Sequence, residues 1–314
     1  MKRHIIFPRD YDTRSNTLED ANPNWSNEIK ERHNMNQKKT IAQIKNEFGE
    51  HNFDQKLVNF KDIGPLPFSI ISYHNSFYRQ ARNSFIHEFY YPALTSACAF
   101  GERILNHLII DLREDFKNSS SSKKVHNKGP WNNWDFLIST LAKWNIFPSN
   151  VEKEFQSLKR LRHHSIHFNL ETYKNLRNDA LSALKNLGEI IKLQFGFLSN
   201  QPWIIENLNG FFINKKSENN PFIKKYYLPQ CPAVGPYYNW EMHKNSTRLL
   251  FDWNNYEEKD ISDEEFTNLH SNRNFSQLAP TNIPWNNDIT VRTIIGDRIY
   301  PCAVDDSGLP FIVI

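Results

Sequence analysis

Between Pro92 and Leu112, in the string PALTSACAFGERILNHLIIDL, the residues Leu94, Cys98, Gly101, Leu105, Leu108 and Leu112 follow one another at alternating four- and three-residue steps. That period suits one face of an α-helix and no strand. A seam so spaced can be buried only against other near-parallel helices, so it predicts a bundle. Gly101 inside it costs about 1 kcal/mol of helix propensity relative to alanine, and in exchange permits a close crossing. Pro92 stands in the first turn, where its missing N–H is not needed.

The flanking sequence supplies the partners. Ile71, Phe77, Ala81, Phe85 and Phe89 are spaced for one helical face ending near Tyr91, and Trp134, Leu137, Ile138 and Leu141 for a shorter helix within Trp131 to Asn145. Ser149 and Glu152 read as a capping box ahead of the stripe Val151, Phe155, Leu158 and Leu161. A last helix, about Glu171 to Gly196, presents Tyr173, Leu176, Ala180, Leu184, Leu187 and Ile191. The low-complexity run KNSSSSKKVHNKG, Lys117 to Gly129, reads as a loop. Residues 65–199 are therefore expected to form a four/five-helix bundle.

Gly64-Pro65-Leu66-Pro67 marks a boundary, leaving 1–64 as an N-terminal appendage with a short strand at His4 to Phe7 and a helix from Ser26 to Phe48. Beyond Asn200 short apolar runs alternate with turn residues: Phe211 to Ile213, Phe222 to Leu228, Arg248 to Trp253, a hairpin of Thr290 to Ile295 and Arg298 to Val304, and Leu309 to Ile314. Residues 200–314 are expected to be β-rich, and the fold class α+β.

A chain of 314 residues with 39% hydrophobic content has enough apolar surface for real cores. Its formal net charge of only +3 creates no global field for nucleic acid, so any such contact must be local. Cys98, Cys231 and Cys302 lie far apart without a CxxC pair, which argues against a zinc ribbon or a disulfide framework and for a reducing cytoplasm. The opening MKRHIIFPRDYD has too few apolar residues for an export signal, and no uninterrupted apolar run suggests a membrane span.

Chemistry concentrates in KRLRHHSIHF, Lys159 to Phe168. Lys159, Arg160, Arg162, His163 and His164 admit a plain reading as cations near a helix C-terminus, where the macrodipole favours them. A second reading, a metal site on His163 and His167, lacks both a third ligand and the glutamate of HExxH. The third starts from Arg162, His163 and His167, which make an R-H-x-x-x-H string at the end of the third long helix.

This string, in its helical setting, resembles the signature of HEPN-domain ribonucleases, over roughly residues 66 to 197. The resemblance implies a metal-independent endoribonuclease without cofactor, with RNA as substrate and a toxin or antiviral-defence role. It makes His167 the acid–base group, Arg162 the phosphate clamp, His163 an orienting neighbour and Glu102 the acidic residue of the preceding long helix. Lys159, Arg160 and His164 would bind substrate, although His164, one helix position away from His163, is expected to face elsewhere. His107 reads as a packing histidine. The family's sites are commonly shared across a homodimer, and a cognate antitoxin or trigger-sensing protein is a further partner it admits. Some members are inactive scaffolds that bind partners instead. If Arg162 and His167 are surface catalytic groups, replacing either should barely change stability.

Overall fold

Leu94, Cys98, Leu105, Leu108 and Leu112 are all fully buried, and one helix carries them. The structure, a computed structural model, describes residues 1–7, 11–119, 122–126, 129, 131–166, 174–198, 201–242, 248–281, 288–295, 298–304 and 310–312. Its two compact units are a helical one, Asp10–Ser69 with Tyr73–Ser199, and a β-rich one, Met1–Arg9 with Ile70–Ser72 and Asn200–Ile314.

The helices of the first unit are α1 (Arg14–Thr17), α2 (Asn27–Phe48), α3 (Phe53–Ile63), α4 (Ser72–Ile86), α5 (Tyr90–Leu112), α6 (Ser122–His126), α7 (Trp134–Lys143), α8 (Val151–Ile166) and α9 (Leu176–Phe195). The α5 seam packs against α7, α8 and α9, which also pack on one another through α7 with α8 and α8 with α9. A Cβ on Gly101 would stand 2.5 Å from Leu158 Cδ2 and 3.0 Å from Trp134 Cη2, so α5 and α8 cross closely where the glycine is. Helices thus stand in each of the five places where the sequence expects them, as α4, α5, α7, α8 and α9, and the last four of these pack on one another.

Other expectations need correction. Residues 1–64 are not one appendage: the first strand belongs to the β-rich unit, while α1 to α3 join the helical unit. Leu18, Ile44, Phe48, Phe60 and Ile86 form a core of their own there. In α4 the buried face is His74, Tyr78, Ala81 and Phe85, whereas Phe77 is 40% exposed. Phe89, 62% exposed, lies beyond that helix, which has ended before Glu88 adopts a positive φ of 67°. Within the expected loop, Ser122–His126 form a helical turn that buries Val125.

In the β-rich unit β1 (Arg3–Ile6) lies between β2 (Phe211–Phe212) and β3 (Ala233–Val234), antiparallel to both, with Ile5 opposite Phe212 and Arg3 opposite Val234. A five-stranded antiparallel meander follows: β4 (Asn239–Met242), β5 (Arg248–Trp253), β6 (Ile289–Ile295), β7 (Arg298–Val304) and β8 (Pro310–Ile312). The hairpin expected at its centre is β6 paired with β7; its Gly296-Asp297 turn lies outside the described residues. Helix α10 (Asp263–Ser271) places Phe266 against Phe212. The run Phe222 to Leu228 is not a strand. Phe222, Ile223, Tyr226 and Tyr227 are buried in a π-type turn spanning Ile223–Tyr227, because their spacing in FIKKYY has a helical rather than a two-residue period.

Cys98, Cys231 and Cys302 are free and buried. Among the described residues no helix is long and apolar enough to cross a membrane.

Candidate active site

Helix α8 begins at Val151 behind Asn150, whose φ is +71°, so the residue flanking the helix lies one position later than the expected Ser149 cap. Its buried stripe runs Val151, Phe155, Leu158 and then Ser165, while Leu161 is only half-buried. Arg162 occupies the step between Leu158 and Ser165. A guanidinium thus stands where the repeat calls for an aliphatic side chain.

Two neighbours make that position tolerable. Arg162 Nη2 lies 2.8 Å from Glu102 Oε2, and the indole Nε1 of Trp134 donates to the same oxygen at 3.0 Å. The guanidinium carbon is also 5.8 Å from the centre of the Trp134 ring, within cation–π range. Side-chain exposures of 22% for Arg162 and 29% for Glu102 make this a half-desolvated pair, worth more than a solvated one.

The start of α7 is fastened from α5. Buried Asn106, one turn after Glu102, accepts from Trp131 N at 2.7 Å and donates to Trp131 O at 2.9 Å and Glu102 O at 3.0 Å. Asn133 then caps α7 by accepting from Phe136 N at 3.0 Å. These contacts hold the Trp134 indole over the ion pair.

In front of Arg162 opens a cavity of about 420 Å³, lined by Asn132, Asn133, Trp134, Asp135, Lys159, Arg160, Arg162, His163 and His164. Every described substrate-binding residue expected from the sequence is on this wall. His164 shares it with His163, contrary to the expectation that it faces elsewhere, and the two rings meet edge to face at 6.2 Å. Lys159 pairs with Asp135, and Arg160 Nη2 donates to Ser157 Oγ at 3.1 Å. Three cations therefore face one carboxylate, beside the N-terminal turn of α7, whose dipole also favours an anion.

Glu102 does not line the cavity; it sits behind Arg162 as a positioning residue. Arg162 Nε is buried with no acceptor among the described residues, so the Nε–Nη2 edge of the guanidinium points inward. Cys98, one turn before Glu102, is no nucleophile, since burial pushes its thiol up to about 12 despite the Ser165 hydroxyl and the Arg162 charge beside it. The Tyr73 hydroxyl and His107 Nδ1 are hydrogen-bonded at 3.2 Å, and burial followed by the nearby Arg103 lowers the His107 pKa.

His167 lies outside the described residues; α8 is continuous as far as Ile166. Sequence reasoning missed Asn106, Asn132, Asn133 and Asp135, and took Trp134 for core alone. The one available signal was the four-residue step from Glu102 to Asn106 on the helix that carries the seam. Among the described residues no three His, Cys, Asp or Glu side chains are grouped as metal ligands.

No family model, curated protein or solved structure matches this chain.

Proposed function

We propose that this chain is a cytoplasmic endoribonuclease of the HEPN type, cutting RNA without a metal ion and serving as a toxin or antiviral-defence effector. The observation that supports this most is Arg162: a guanidinium on a core step of α8, braced by Glu102 and Trp134 and facing a cationic cavity. In the reaction the 2′-hydroxyl loses its proton and its oxygen bonds the adjacent phosphorus. The bond to the 5′-oxygen breaks and that oxygen takes a proton, leaving a 2′,3′-cyclic phosphate and a 5′-hydroxyl. Arg162 would stabilise the charge on the phosphoryl oxygens, His167 would move protons, and Lys159, Arg160, His163 and His164 would hold the strand. Splitting the acid and base roles takes two proton-transfer groups, so the proposal includes a homodimer that brings two copies of the motif together. An antitoxin or trigger-sensing protein would be its regulator.

A second reading draws on the same geometry. The Glu102 carboxylate satisfies Arg162 and Trp134 within the chain, as a helix-joining clamp would, and a catalytically inactive HEPN scaffold could use it so.

Incubating the purified chain with total RNA in excess EDTA separates the two. The nuclease reading expects fragments with cyclic phosphate ends, and a loss of about 10²–10⁴-fold in rate for His167→Ala and for Arg162→Ala. Because Arg162 is braced rather than fully exposed, its replacement should also lower the thermal midpoint by about 2–4 °C, unlike the stability-neutral change expected from sequence. Intact RNA beside a folded protein would favour the scaffold.

A further inference from the structure

A second cavity, of about 490 Å³, lies in the helical unit between α9 and the chain segment joining α3 to α4, and shares no lining residue with the first. On one side α9 offers Lys185, Gly188, Glu189 and Lys192, whose three-, one- and three-residue steps place them on one helical face. On the other side run Pro65, Leu66, Pro67 and Phe68. The prolines bring no N–H to this wall, and Leu66 N is already bonded to Asp12 O at 2.8 Å. Buried Tyr78 forms the base. Its hydroxyl donates to Leu184 O at 3.2 Å, and a Cβ on Gly188 would stand only 2.9 Å from it, so the phenol is committed and offers carbon to the cavity. Leu198, 50% exposed, sits at the mouth.

Two acids and two lysines line the cavity, and with Asp62 taken by Arg177 from outside the lining one lysine is left over. Asp62 is bound by Arg177 at 2.6 Å and Glu189 by Lys192 at 3.0 Å. Lys185 forms no ion pair among the described residues. The volume falls in the range of small-ligand sites, and an apolar body beside a cation is a pattern such sites use for orientation; Lys185 stands exposed at this one.

We propose that this cavity binds an amphipathic carboxylic acid of medium chain length, its tail along Pro65, Phe68 and Leu198 and its carboxylate on Lys185. The site stands independently of the nuclease reading, since binding can be measured without RNA. Calorimetric titration of decanoate into the full chain should give one site. Lys185→Ala should weaken decanoate about tenfold while leaving decan-1-ol unchanged, because only the acid uses the ammonium. Leu198→Glu, at an exposed position that should fold normally, should weaken both about tenfold by putting a carboxylate at the mouth. Failure of decanoate to bind, binding indifferent to both substitutions, or decylammonium binding as tightly as decanoate would each overturn the proposal.

Discussion

The bundle of α5, α7, α8 and α9 and the β-rich unit both bury apolar cores and differ in the charge they add to them. In the bundle, the seam residues of α5, Phe155 and Leu158 of α8 and Ala180, Leu184, Leu187 and Ile191 of α9 are buried carbon, and their helices follow one another closely along the chain. The β-rich unit packs Ile5 of its first strand with Phe212, Val234, Leu250 and Phe266, and in addition anchors that strand through charge. Buried Arg3 meets Asp263 at 2.8 Å, 260 residues away, donates to the Ile261 and Lys2 carbonyls and lies 5.6 Å from the Phe266 ring. Beside it Lys2 meets buried Asp252 at 3.2 Å, whose carboxylate also accepts from Gly235 N. Carbon packing tolerates approximate partners, whereas a buried ion needs a particular one. The β-rich unit is therefore the one in which single polar substitutions should do most harm.

The largest stability effect should still come from the bundle. Phe155→Ala leaves a cavity between α8 and its neighbours and should cost about 4 kcal/mol in urea unfolding. A loss below about 1 kcal/mol would mean that the bundle core is not close-packed there. Next in size, Arg3→Met should cost about 2 kcal/mol, because it leaves the Ile261 carbonyl without this donor and takes from Asp263 its charged partner, with Lys215 N remaining. A neutral result would erase the contrast between the units.

The smallest effect has the opposite sign. His270, in the β-rich unit, is buried among Phe212, Tyr238 and Phe266 with neither ring nitrogen partnered among the described residues; burial, followed by the Arg273 charge, pushes it down to about 4. Between its ordinary 6.5 and that value the unfolded chain binds the proton and the folded one does not. Stability present above pH 6.5 is thus lost as pH falls through this window. His270→Phe should flatten that acid slope and gain about 1 kcal/mol at neutral pH, since it removes two unsatisfied buried atoms. His74 in the helical unit, pushed down to about 3 by burial, carries a slope of the same sign that His270→Phe should leave intact. Loss of the whole acid slope in that variant would show that the units do not titrate separately.

How much of this was legible beforehand follows the same division. The α5 seam, the glycine crossing, the stripe of α8 and the meander hairpin were readable because each is a local period. The assignment of residues 1–64 failed because a strand of four residues has no local signal for partners that lie more than 200 residues onward. Phe222 to Leu228 failed because aromatic, β-prone residues masked a helical spacing. At the site, Lys159, Arg160, Arg162, His163 and His164 were picked out as one cluster, yet their common cavity needed Asn133, Trp134 and Asp135 from another helix.

The sequence by itself determined the helices α5, α7, α8 and α9, most of the faces they bury and where the cations gather, because these depend on spacing along a single element. Only the tertiary structure decided that Glu102 braces Arg162 instead of lining the cavity, that Trp134 is locked over the pair through Asn106 and Asn133, and that the first strand is held by Arg3. Those outcomes depend on which side chains meet across elements, and desolvation makes each such meeting selective: a buried charge or indole N–H is stable only where a specific acceptor reaches it.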